Sequence, residues 1–183
     1  RGAAYEADYR LRLGNLGVFV PQMRGPATVE GTVAGEAGDL DLDLALTAPL
    51  DTSGQIGARI DGDTRDLTYD VRLGRFQGLV AELPGALSVT GTAQQTGSGP
   101  ITVAARAVGP GGATAEIAGP FDPTGAATDI TARGQLPLPL ANPFIAPQTI
   151  AGQASFDLAL RGAPSLGNLS GNIRTSDAQI AVP

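Results

Sequence analysis

The sequence contains no cysteine, histidine, lysine or tryptophan. Without cysteine there are no disulfides, thiolate metal ligands or thiol nucleophiles. Without histidine and lysine the commonest general base and the amine nucleophiles are missing as well. Paired carboxylates are the remaining enzymatic option. Asp39, Asp41 and Asp43, however, alternate with leucines, which reads as the solvated side of a strand. Asp61-Gly62-Asp63-Thr64-Arg65-Asp66 lacks the bidentate glutamate of a calcium loop and reads as a hairpin turn. Ser98, between Gly97 and Gly99, has no histidine to activate it. The glycines at 109, 111 and 112 lead into a strand pattern, not a helix, so they do not make a phosphate cradle. The chain is expected to be non-enzymatic, with no cofactor and no metal.

Positive charge is scarce too. All 12 basic residues are arginines, scattered singly, against 18 acidic residues, for a net charge of −6. With no basic cluster, nucleic acid is excluded as an expected partner, and so is docking on anionic lipid through a polybasic patch. No run approaches the roughly 18 apolar residues of a membrane-spanning helix. The sequence does not begin with Met and carries no signal peptide, so it reads as an excised piece of a longer protein.

What the sequence does have is period-2 alternation. Tyr5, Ala7, Tyr9, Leu11 and Leu13 alternate with Glu6, Asp8, Arg10 and Arg12, and Leu40, Leu42, Leu44 and Leu46 with Asp39, Asp41 and Asp43. Leu67–Leu73, Ile101–Ala105 and Phe156–Leu160 follow the same rule. Such alternation places apolar side chains on one sheet face and polar ones on the other. Turn signals separate the runs: Asp61-Gly62, Gly97-Ser98-Gly99, Gly109 to Gly112, Asp122-Pro123 and Gly162-Ala163-Pro164. Short strands of about five to eight residues in an antiparallel meander are predicted. One helical turn is weighed for Asn142–Gln148.

The chain also resembles itself. Asp8-Tyr9-Arg10-Leu11-Arg12-Leu13-Gly14 matches Thr68-Tyr69-Asp70-Val71-Arg72-Leu73-Gly74, 60 positions on. Thr28-Val29-Glu30-Gly31-Thr32 matches Ser88-Val89-Thr90-Gly91-Thr92 at the same offset. Gly134 and Gly152 extend the two series into a third, weaker copy. The expected organisation is one elongated β-repeat segment with units 7–66, 67–126 and 127–183. Each unit is expected to hold about five strands, near 67–73, 77–83, 87–92, 101–107 and 113–118 in the second.

A sheet with one apolar face must cover that face or use it. The apolar residues are mostly Leu, Ile, Val and Ala, with 5 Phe and 3 Tyr in the whole chain. Two readings stay open. One is a closed core, which periodicity alone weights somewhat higher. The other is an aliphatic groove for acyl chains.

The C-terminal third carries a resemblance. Asn142-Pro143-Phe144-Ile145, Ile150-Ala151-Gly152, Phe156-Asp157-Leu158-Ala159-Leu160-Arg161-Gly162, Pro164-Ser165-Leu166-Gly167-Asn168-Leu169-Ser170-Gly171-Asn172-Ile173 and Asp177-Ala178 resemble the TamB family of AsmA-like translocation and assembly proteins of Gram-negative bacteria. The likeness is good over 135–183 and general upstream. It implies an all-β fold in which the meander curls into a groove-like sheet, a β-taco, with an aliphatic inner face. It further implies a periplasmic segment of an inner-membrane-anchored bridge that moves phospholipid toward the outer membrane. With an Omp85-class outer-membrane partner, such a protein also assists assembly of outer-membrane proteins. The family has no catalytic residues to carry over. On this chain its apolar lining would fall on Leu11, Leu13, Leu40, Leu42, Leu44, Leu46, Ile56, Ile60, Leu67, Val71, Leu73, Ile101, Val103, Ile117, Ile130, Phe156, Leu158, Leu160 and Ile173. The alternative is a structural or adhesive β-repeat module with a closed core and no ligand.

Overall fold

The computed structural model describes residues 4–36 and 38–182. Alternation dictates its content. The strands are β1 (Tyr5–Leu13), β2 (Ala27–Glu36), β3 (Asp39–Ala48), β4 (Thr52–Asp61), β5 (Thr64–Leu73), β6 (Leu87–Thr96), β7 (Ile101–Val108), β8 (Thr114–Phe121), β9 (Asp129–Pro137), β10 (Thr149–Arg161) and β11 (Leu169–Ala181). They form a single 11-stranded sheet whose spatial order is the chain order. Each strand is antiparallel to the next, and the curled sheet does not close into a barrel. The fold is therefore the expected all-β meander.

Two details differ from the sequence reading. The strands run 8–13 residues, longer than the alternating apolar runs, because Thr, Ala and Gly positions continue the ladder beyond them. The segment 77–83 is not a strand. It belongs to a loop with one 3-10 turn at Phe76–Gly78, so the second unit is four strands, β5 to β8, and an ordered loop. The turn is stapled by Phe76 N–H donating to Gly85 O at 2.9 Å and Val80 N–H to Phe76 O at 3.1 Å. Sixty residues earlier, Leu16 N–H donates to Gly25 O at 2.7 Å and Val20 N–H to Leu16 O at 3.0 Å. The repeat thus extends to individual loop hydrogen bonds. A helical turn does form at Asn142–Ile145.

Connections after odd-numbered strands share one end of the sheet, and there they touch in series. Arg75 N–H donates to Leu50 O at 3.0 Å, and Arg75 pairs with Asp51 at 2.9 Å. A Cβ on Gly25 would stand 3.2 Å from Pro49, and one on Gly85 3.4 Å from Pro110. A continuous rim of loops therefore braces that end. At the other end the β4–β5 link is the two-residue turn Gly62-Asp63, with Gly62 at φ 54°, so the segment weighed as a calcium loop is a hairpin. The longer β8–β9 link is organised by Asp122. Its Oδ1 accepts from both the amide and the hydroxyl of Thr124 at 2.8 Å, and these bonds hold its carboxyl below the usual aspartate range.

The sheet has no second layer among the described residues. Among the described residues, the buried apolar side chains within strands are Ala27 and Leu73, at 8% exposure each, and Pro110 is buried in the rim of loops. The accessible surface is 11514 Å², whereas a compact protein of 18.4 kDa is expected to expose about 8,200 Å². Among the described residues no helix is long and apolar enough to cross a membrane.

Candidate functional site

Pleating sends alternate residues to opposite faces, so strand register decides which side chains meet. One cross-strand row runs the whole width of the sheet: Leu11, Val29, Leu46, Gly54, Val71, Val89, Ala107, Ala115, Gly134, Phe156 and Ile173. The adjacent row is Tyr9, Gly31, Leu44, Ile56, Tyr69, Gly91, Ala105, Ile117, Ala132, Leu158 and Gly171. Neither row contains a charged residue. All the residues singled out as lining fall on this one face. They sit in these two rows or in the rows beside them, which carry Leu13, Leu40, Leu42, Ile60, Leu67, Leu73, Ile101, Val103, Ile130 and Leu160. Most are half-buried. Leu11 and Ile173, on the two outermost strands, are 65% and 69% exposed. One border of the face is polar: Arg65 stands opposite Gln95 and donates to Gly97 O at 3.0 Å.

Large and small residues alternate across the strands. Tyr5 stands opposite Gly35, Tyr9 opposite Gly31, Tyr69 opposite Gly91 and Phe156 opposite Gly134. A Cβ on Gly35 would lie 2.6 Å from the Tyr5 ring, and one on Gly134 would overlap the Phe156 ring and the Thr114 carbonyl. Tyr5, Tyr69 and Phe156 thus fill the space that their glycines leave. Sequence reasoning recorded the tyrosines and glycines as separate markers and did not pair them. It also missed the Tyr9 hydroxyl, a buried polar atom with no hydrogen-bond partner among the described residues.

The third unit departs from the expected phase. Gly134 lies within β9, whereas Gly14 and Gly74 follow their strands. Gly152 sits at a bulge opposite Asp177-Ala178 with φ 106° instead of facing an aromatic. The longer β8–β9 link, residues 122–128, shifts the register, so Ala132 and Leu158 occupy the places of Tyr69 and Gly91.

The opposite face is polar and charge-matched. Arg10 pairs with Glu30, Arg59 with Asp41 at 2.7 Å, Arg106 with Glu116 at 3.2 Å, Arg133 with Asp157 at 3.1 Å and Arg161 with Asp129 at 3.3 Å. Each pair joins residues directly opposite in the register. The hydrogen bond from Arg59 to Asp41 raises the guanidinium further above its ordinary pKa. Open hollows of about 540 and 490 Å³ lie among polar side chains here, the first including Glu30, Asp43, Gln55 and Asp70, the second Arg106, Arg133, Asp157 and Arg174. The charged residues around the first are all acidic, whereas both signs mix in the second. Among the described residues no group of acidic side chains is arranged to hold a metal.

No protein-family model, curated protein or solved structure matches the chain.

Proposed function

We propose that the chain is a segment of a TamB-like, periplasm-spanning bridge whose open aliphatic face carries lipid acyl chains or hydrophobic strands of client proteins. The observation that carries this reading is the pair of uncharged rows crossing all 11 strands, with no second layer over them among the described residues. Neighbouring strands lie about 4.8 Å apart, so ten intervals give roughly 48 Å of apolar track. At about 0.8 kcal/mol per methylene removed from water, ten methylenes on the track recover about 8 kcal/mol. That offsets much of the cost of leaving a bilayer. The mechanism is passive: a continuous apolar surface lowers the barrier to lipid movement, and no residue acts as a catalyst. Through its parent protein the segment supports phospholipid transport to the outer membrane and, with an Omp85-class partner, assembly of proteins there. A closed-core adhesive module would need a second layer over the same face, and the described residues supply none.

The test is lipid extraction and native mass spectrometry of the purified chain, with titration of a fluorescent fatty acid. Co-purifying phospholipid and saturable fatty-acid binding are expected. A chain that carries no lipid and binds no fatty acid sinks the proposal.

A further inference from the structure

The apolar face is uneven. Its middle consists of the two uncharged rows and the adjacent row through Leu42, Leu67 and Leu160. On β2–β5 three of the twelve positions in these rows are Gly or Ala; on β6–β9 eight of twelve are. The interior strands β6–β9 therefore form a depression with a floor of Ala93, Ala105, Ala107, Ala115 and Ala132. Rings wall it on two sides: Tyr69 leans over Gly91 from β5, and Phe156 over Gly134 from β10. Ile117, in the middle of β8, is 40% exposed because its cross-strand neighbours are Ala105 and Ala132.

A charge stands at one corner of this depression. Among the described residues of β2–β9, Arg65 is the one charged side chain on the apolar face, opposite Gln95. Its chain neighbour Asp66 faces the other side of the sheet. Arg65 has no ion pair among the described residues. Nη1 donates to Gln95 Oε1 at 3.5 Å and to Gly97 O at 3.0 Å, while Nε and Nη2 have no partner among the described residues. Gln95 is itself held in place, since its Nε2 donates to Gly99 O at 2.9 Å.

We propose that the depression seats one amphiphile with an anionic head, its acyl chain on the alanine floor and its carboxylate or phosphate on Arg65 and Gln95. The floor offers only apolar contact, which suits hydrocarbon. The two unused guanidinium nitrogens suit the forked contact that carboxylates and phosphates make. The dimensions agree. β6 to β9 covers three strand intervals, about 14 Å, and the hydrocarbon of one membrane leaflet is about 15 Å deep. The bulkier side chains of β5 and β10 stop a chain from sliding freely off the floor. The inference rests on the acyl-carrying reading of this face. It adds a fixed station, a stoichiometry of one and a preferred head charge.

The experiment is competition of palmitate, lysophosphatidic acid and hexadecanol against a fluorescent fatty acid on the full chain at neutral pH, with bound lipid counted by native mass spectrometry. One lipid per chain is expected, and at least one of the two anions should bind about tenfold tighter than the alcohol. Whichever anion gains more identifies the head, carboxylate or phosphate. Arg65→Gln should bring that anion level with hexadecanol, and Arg65→Lys should keep part of the preference. Ala107→Leu raises the floor to the level of β3 and should weaken all three ligands together. Wild-type chain that binds the alcohol as well as both anions overturns the seat and leaves the acyl-carrying face standing. So does an anion preference that survives Arg65→Gln, an Ala107→Leu chain that binds as wild type does, or several lipids bound per chain. No binding of any of the three removes both readings.

Discussion

The ring of Tyr69 lies over Gly91 on the neighbouring strand, with its Cζ 2.6 Å from where a Cβ on that glycine would stand. The Ala104 carbonyl crowds the same space from the other side. The glycine is thus kept clear by an aromatic ring and by the bend of the sheet. Gly91→Ala forces one of these to move and should destabilise the fold by about 1–3 kcal/mol, as overpacking does. Gly14→Ala, with nothing within 4 Å of its Cβ, is the control and should be nearly neutral. Urea denaturation of both variants decides it; equal midpoints would mean that Tyr69 and Gly91 do not interlock.

At Tyr9 the expected change in stability has the opposite sign. Its hydroxyl is buried with no partner among the described residues, so the fold bears its desolvation cost. Tyr9→Phe removes that cost and keeps the ring against the sheet. The expected gain is about 1 kcal/mol, seen as a rise in the urea midpoint at unchanged slope. A drop would mean that a bound water or ligand satisfies the hydroxyl.

Leu42→Arg and Leu158→Arg place a charge on the half-buried apolar face. If that face binds acyl chains, each variant should lose fatty-acid binding while far-ultraviolet circular dichroism keeps its strand signal. Loss of the strand signal would instead mean that these leucines hold up a closed core.

The pair Arg133–Asp157 is joined at 3.1 Å, but its side chains are 67% and 59% exposed. A double-mutant cycle to alanine should return at most about 1 kcal/mol of coupling, and less in high salt. A larger, salt-independent coupling would show that the row Arg106, Glu116, Arg133, Asp157 behaves as one network.

Strong acid should loosen the β8–β9 loop. Hydrogen bonds from Thr124 lower the Asp122 carboxyl in the folded state. A depressed folded pKa adds stability that is fully present above the ordinary aspartate value and is lost as pH falls through the lowered one. The Thr124 amide resonance should therefore titrate below the ordinary aspartate range, and Asp122→Asn should abolish that titration. An Asp122 that titrates at the ordinary value contradicts the assignment.

Much of this architecture is legible in the sequence, because a half-buried strand writes its face into period 2. Leu40 to Leu46 against Asp39 to Asp43 fixes both strand and orientation. The two 60-residue markers, Tyr9/Tyr69 and Gly31/Gly91, prove to stand directly opposite each other across the strands, a pairing that register alone supplies. The stretch 77–83 misleads because Leu79, Ala81 and Leu83 alternate by chance in a loop whose shape comes from backbone hydrogen bonds to Phe76 and Gly85. Whether the aliphatic face is covered could not be read at all. An open and a closed sheet need the same alternation, and only the absence of a second layer separates them. Phe156 against Gly134 escaped notice because the longer β8–β9 link breaks the numerical period while the packing idea survives.

Strand order equal to chain order has a mechanical meaning. Every ladder joins nearest neighbours in sequence, so no contact waits for a distant segment to arrive. A chain delivered from one end can complete each hairpin as it emerges. Pulled from its termini, the sheet should come apart one strand at a time from its edges, as a series of small rips. A unit of four strands can accordingly be added or removed without disturbing those beyond its neighbours, which makes the length of the sheet a quantity that can change in whole steps.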